Sequence, residues 1–132
     1  MEIANGLYRP SYISFEYALA FYNLIPEMVY SITCATTKTT REFTVLDKTF
    51  CYTSIKLKAY TGYELKVLDN SKFLMADAEK AVVDYLYLVA LNKKVLLERL
   101  DLSKIDLKKL KSYAQLFSNK KLDLLINKYA QP

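Results

Sequence analysis

After one early helical stretch, the hydrophobic pattern of this chain changes from strand to helix period at Asp77, and that change constrains the fold more than any other feature. Before it, apolar residues recur at every second position in short runs, as in strands that turn one face inward. After it they recur every three to four positions, as in amphipathic helices. A sheet-rich part (1–76) followed by a helical part (77–132) predicts an α+β fold, and 132 residues suit a single domain with a core of its own.

In the first part, "SFEYALAFYNLI" predicts a helix near 14–22, with Ser14 as N-cap, Glu16 in the first turn and Pro26 barring continuation. "VYSITCAT" alternates Tyr30, Ile32 and Cys34 against Ser31, Thr33 and Ala35, which predicts a strand with one buried face. A hairpin of 42–46 and 49–56 follows, broken at Asp47–Lys48. "YTGYELKVLD" and "KFLMA" supply two more strands around the turn-like 69–71. A mostly antiparallel sheet of about four to five short strands is the expectation.

In the second part Asp77 caps a helix whose residues Ala78, Ala81, Val82, Tyr85, Leu86 and Val89 form one broad apolar stripe. Further helices are expected near 94–99, at 107–117 after Asp106, and at 120–129 after Ser118 or Asn119, making a cluster of about four. Two glycines and three prolines leave no room for a linker or a low-complexity tract. "AVVDYLYLVAL" is too short to span a bilayer, and "MEIANGLYRP" lacks the basic start and apolar stretch of a signal peptide. The expectation is a cytoplasmic protein with no membrane partner.

Several chemistries lack their residues. The chain has no histidine, so no general base of that kind and no Cys–His pair. Cys34 and Cys51 stand without further ligands for zinc, and are expected as thiols although the hairpin would bring their strands close. Gly6 and Gly62 cannot make a glycine-rich phosphate loop. No cofactor or metal is therefore expected. Glu79, Lys80 and Asp84 lie on one helix. Lys80 and Asp84, four apart, read first as a surface ion pair and only second as part of a degenerate hydrolytic site with Glu79.

The net charge of +5 is uneven: residues 1–76 hold eight Lys/Arg against seven Asp/Glu, and residues 77–132 hold eleven against seven. Lys108, Lys109, Lys111, Lys120, Lys121 and Lys128 decorate the last two helices. They fit a solvated face, and secondarily a nucleic-acid surface if Tyr113 and Tyr129 supply stacking platforms. The twelve tyrosines fit a core rim in the same way. "TTKTTREF" (36–43) reads as a strand edge and bend, with an anion site at Lys38 and Arg41 or an ion pair from Arg41 to Glu79 as the other two possibilities.

In order along the chain, "GLYRPSYISFEYALAFYNLIPE" (6–27), "ITCATTKTTREF" (32–43), "GYEL" (62–65) and "AEKAVVDYLYL" (78–88) resemble the antitoxin domain of the AbiEi abortive-infection family. The likeness covers about two-thirds of the chain. It implies a non-enzymatic antitoxin of a type IV toxin–antitoxin system in phage defence, acting against a nucleotidyltransferase-like toxin of the AbiEii kind, with or without a stable complex. The winged helix that precedes this domain in family members, and serves as a transcriptional regulator, has no counterpart before the first block. Ala78 stands where the family often has proline, a difference that the first helical position tolerates. The matching motif positions are Tyr12, Ser14, Thr37, Lys38, Arg41, Glu42, Phe43, Glu79, Lys80 and Asp84. From their place between sheet and helix, Arg41 and Glu42 are expected to lock the two together while Thr37 and Lys38 stay exposed.

Overall fold

Two pairs of residues, Leu46–Asp47 and Asp69–Asn70, decide where the sheet turns. In the computed structural model, which describes residues 1–130, both pairs have left-handed backbone, with φ of 49° and 66° and of 48° and 68°. Two consecutive positive φ values match the right-handed twist of the strands they join, and after glycine Asn and Asp, which fill three of these four positions, tolerate them best. The first turn therefore falls one residue earlier than expected, on Leu46–Asp47 instead of Asp47–Lys48.

The strands are β1 (Ser11–Ile13), β2 (Ile32–Thr36), β3 (Arg41–Val45), β4 (Lys48–Ser54), β5 (Tyr63–Leu68) and β6 (Ser71–Ala76), in one sheet of order β3-β4-β2-β1-β6-β5. The two hairpins, β3–β4 and β5–β6, and the β1–β2 pair are antiparallel. The pairs β2–β4 and β1–β6 are parallel, so the sheet is mixed and has six strands where four to five, mostly antiparallel, were expected. The difference comes from β1, whose three residues are too short to carry a periodic signal. It sits between β2 and β6 and joins the two hairpins into one sheet. All five residues of β2 are buried, because it is central and covered on both faces; the expected single buried face is not found, and Tyr30 lies outside the strand and exposed.

The helices are α1 (Glu2–Leu7), α2 (Phe15–Phe21), α3 (Ala78–Ala90), α4 (Leu107–Gln115) and α5 (Lys120–Ala130), with a single 3-10 turn at Leu57–Ala59. The short α1, not expected from the sequence, lies against β1 and β6. Its Asn5 side chain donates to the carbonyls of Ser11 and Leu74 and accepts from the Leu74 N–H, satisfying backbone that β1 and β6 leave unpaired. Helix α2 ends at a left-handed Asn23, before Pro26 is reached.

Asp77 caps α3 as expected, accepting from the Lys80 N–H at 2.8 Å. Helix α3 is the centre of the domain: it packs against α2, α4 and α5, and nearly every residue from Lys80 to Leu88 is buried whichever way it points. It stops at Asn92, again left-handed.

No helix forms at 94–99. The Tyr85 hydroxyl takes over the backbone there, donating to the Val95 carbonyl at 2.5 Å and accepting from the Leu97 N–H at 3.1 Å. Leu100 and Ile105 then anchor the irregular segment, and the Asp101 N–H donates to the Leu24 carbonyl. Asp106 caps α4 through the N–H groups of Lys108 and Lys109, and Asn119 caps α5 through that of Leu122. Among the described residues no helix is long and apolar enough to cross a membrane.

Phe117, at the end of α4, closes the core: it is fully buried, and its ring lies 4.4 Å from that of Tyr87. Phe117→Ala is expected to lower unfolding stability by about 3–5 kcal/mol, read by chemical denaturation.

Candidate functional site

The motif residues fall into three separate places. Tyr12, Ser14, Lys80 and Asp84 meet in the core. Glu79 lies at the seam between α3 and α4. Thr37, Lys38, Arg41, Glu42 and Phe43 lie around the β3–β4 hairpin.

The core group is the most unusual feature of the molecule. Lys80 and Asp84 are one turn apart on the inward side of α3, and both are 0% exposed. The expected surface ion pair is therefore a buried one. The Lys80 ammonium donates to Asp84 Oδ1 and, at 2.8 Å, to the Tyr12 hydroxyl. Tyr12 in turn donates to Asp84 Oδ2 at 2.9 Å, and the Ser14 Oγ donates to the same oxygen at 2.6 Å. Three donors thus converge on one carboxylate. Ser14 stands at the N-cap position of α2, yet its side chain serves Asp84 and does not cap.

Aromatic rings seal the pair from water. The ammonium lies 5.0 Å from the Phe117 ring centroid and 5.4 Å from that of Tyr12. Tyr12 is stacked on Tyr63 (centroids 4.7 Å apart, planes at 15°) and tilted against Tyr60 at 5.0 Å. Burial pushes the Tyr12 phenol well above its ordinary value, with the Asp84 charge adding to the shift. Burial likewise pushes the Asp84 carboxyl up, against the pull of Lys80, Ser14 and Tyr12 in the other direction.

Gly62 completes the packing. Its φ is +80°, and a Cβ there would stand 2.8 Å from Lys80 Cγ and 3.0 Å from Lys80 Cβ. The "GYEL" block is thus the wall against which the lysine stem lies, with Gly62 touching the stem and Tyr63 covering Tyr12. Sequence reasoning placed Tyr60 and Tyr63 at the core rim and Gly62 within a motif block, but brought neither them nor Phe117 to Lys80 and Asp84. The available signal was Gly62 itself, one of only two glycines in the chain.

Glu79 faces away from Lys80. Its Oε2 accepts from the Asp106 N–H at 3.2 Å, and its Oε1 lies 3.6 Å from the Lys109 ammonium. Lys109 also reaches Asp77 Oδ2 at 3.1 Å, the oxygen to which the Tyr113 hydroxyl donates at 2.6 Å. The bond to Asp77 holds the Lys109 ammonium above its ordinary pKa. Glu79 and Lys80 share no cleft, so the paired hydrolytic arrangement does not form. Lys109, of the candidate basic surface, is exposed and pairs with two carboxylates. Lys108, Lys111, Lys120 and Lys121 are exposed and make no ion pair with a described residue. Tyr113, which the nucleic-acid reading would need as a stacking platform, donates its hydroxyl to Asp77.

Around the hairpin, neither Arg41 nor Glu42 locks the sheet to a helix. Both are exposed; the Arg41 guanidinium lies over the Phe43 ring at 4.9 Å, and Glu42 accepts from the Cys51 thiol at 3.4 Å. The reason is position: β3 is an edge strand, and no helix covers that end. Lys38 instead approaches the N-terminal segment, with its ammonium 5.3 Å from the Tyr8 ring, while the Tyr8 hydroxyl donates to the Thr39 carbonyl at 2.8 Å. Thr37 is half-buried, and Phe43 is half-buried against Tyr8 and Tyr52. Cys34 and Cys51 are free thiols, and burial pushes both above their ordinary pKa. No group of three or more His, Cys, Asp or Glu able to hold a metal occurs among the described residues.

No model of a known protein family matches the chain, and a sequence comparison with curated proteins finds no relative.

Lys80→Ala, which leaves the Asp84 carboxylate buried and unpaired, is expected to cost on the order of 3–5 kcal/mol. Adding Asp84→Asn should recover part of that loss, so the two changes are strongly non-additive in a double-mutant cycle read by denaturation. Gly62→Ala is expected to cost roughly 1–3 kcal/mol for its left-handed backbone, with the contact to the Lys80 stem adding to it.

Proposed function

We propose that this protein is a non-enzymatic antitoxin domain of the AbiEi kind, which counteracts a nucleotidyltransferase-like toxin in phage defence. One observation carries the proposal: three of the four separated blocks of the resemblance meet at one buried network. The first block brings Tyr12 and Ser14, and the fourth brings Lys80 and Asp84. The third brings Gly62 and Tyr63, and the second forms β2, the strand that pairs with β1 along Tyr12. A set of motifs shared across a family because its fold requires them would be distributed in this way. Motif residues marking an active site would instead open to solvent, and these four are closed from it.

The antagonism is read as functional, through direct binding or a shared target. Co-expression of the chain with an AbiEii-type nucleotidyltransferase should restore growth that the toxin alone arrests. Co-purification then decides whether the two form a complex. Growth arrest that persists while the chain is expressed and folded would overturn the proposal.

The exposed Lys108, Lys111, Lys120 and Lys121 favour a second reading, a nucleic-acid surface on α4 and α5. It calls for a mobility shift with tRNA or duplex DNA that weakens steeply as salt rises, and for loss of that shift when the four are changed to glutamate. No shift, or one insensitive to salt, removes it.

A further inference from the structure

Strand β5 ends the sheet with its outer edge unpaired, and one of its two faces is apolar and exposed. Leu65 is 59% and Val67 64% exposed. Tyr63, Leu65 and Val67 share one face, and that face runs on into a cavity of about 520 Å³ lined by Tyr60, Leu74 and Pro10. On the other face Glu64 and Lys66 pair with each other at 2.8 Å.

The register with β6 says which backbone groups are free. The turn at Asp69–Asn70 makes Leu68 and Ser71 opposite neighbours, and the next pairs are Val67 with Lys72, Lys66 with Phe73 and Leu65 with Leu74. Next to a two-residue turn the flanking pair exchanges both hydrogen bonds, and alternate pairs follow suit. The Asp77 N–H donates to the Gly62 carbonyl at 2.9 Å, as that alternation requires. Gly62, Glu64, Lys66 and Leu68 therefore spend their backbone groups on the β6 side. Tyr63, Leu65 and Val67 direct theirs outward.

We propose that this edge joins a second copy of the chain, β5 against β5 antiparallel, about a two-fold axis at Leu65. The occupant follows from self-complementarity, which an isologous contact demands. With Leu65 opposite Leu65, Tyr63 faces Val67 of the second copy, so all residues with outward backbone groups meet each other. The same register sets Glu64 opposite the second copy's Lys66, and Lys66 opposite its Glu64, continuing the ion pair already present within each strand. A shift of the axis to Tyr63 or Val67 keeps the hydrogen bonds possible but breaks this charge match. An axis at Glu64 or Lys66 also lets outward backbone groups meet but sets like charges face to face, and an axis between two residues misaligns the free backbone groups. The result is one continuous sheet through two molecules, with the apolar stripe of each copy beside that of the other.

Sedimentation equilibrium of the full chain over a wide concentration range tests this, against a monomer mass of 15.3 kDa. The native chain should form a dimer of twice that mass. Glu64→Lys alone, or Lys66→Glu alone, places like charges opposite each other at two symmetric positions and should weaken association about tenfold or more. The double variant carrying both changes should regain native association, since the pairs are merely reversed. Circular dichroism of each variant checks that the substitutions, one of them at the half-buried Lys66, leave the fold intact. A native chain that stays monomeric throughout, or a double variant as weak as the single ones, overturns the proposal. So does a dimer that none of the three variants affects.

Discussion

Two opposite charges held in the driest part of the molecule set the terms for everything around them. Removing a lysine and an aspartate from water costs several kcal/mol each, and their attraction offsets that only when the remaining hydrogen-bonding capacity is met. Here it is met from three directions in the chain: Tyr12 and Ser14 from β1 and the start of α2, and Lys80 from the same helix as Asp84. The network therefore ties the beginning of the sheet to the central helix. A core of leucines could be packed in several ways with similar energy. A core with this network tolerates one arrangement, because any other leaves a buried charge without a partner.

Much of the architecture is legible in the sequence, and the gaps have physical causes. The change of period at Asp77, the caps at Asp77 and Asp106, and both strand pairs follow from local chemistry; the first turn lies one residue earlier than read, and of the two caps open for α5 Asn119 is the one used. What escaped depends on partners distant in sequence. Strand β1 is three residues long and is made a strand by β2 and β6, not by its own pattern. The segment 93–106 has helix-forming residues, yet the Tyr85 hydroxyl and the Leu24 carbonyl claim its backbone.

The candidate site shows the same division. That Lys80 and Asp84 could pair was plain from their spacing; that both are inside the protein was not, because they lie off the helix's broad apolar stripe and only the tertiary packing buries the remaining faces. Glu79, their neighbour in sequence, points the other way and connects α3 to the cap of α4. Adjacent residues in one motif thus do different work. Arg41 is misjudged from sequence for a related reason: local alternation predicts the strand but not that the strand lies at the edge of the sheet, beyond the reach of any helix.

The short strand β1 has a further consequence, for the order of events during folding. Each hairpin closes with a two-residue turn and can form early on its own. The sheet becomes continuous only when Ile13 lies beside Met75, contacts that are distant in sequence and formed through a parallel pairing. Closing so long a loop is entropically costly before any compensating contact is made. Of the sheet's pairings this one closes the longest loop, and the Tyr12–Asp84 bond spans a comparable interval. The molecule should assemble as two preformed hairpins waiting on one central clasp, at a rate set by topology more than by stability.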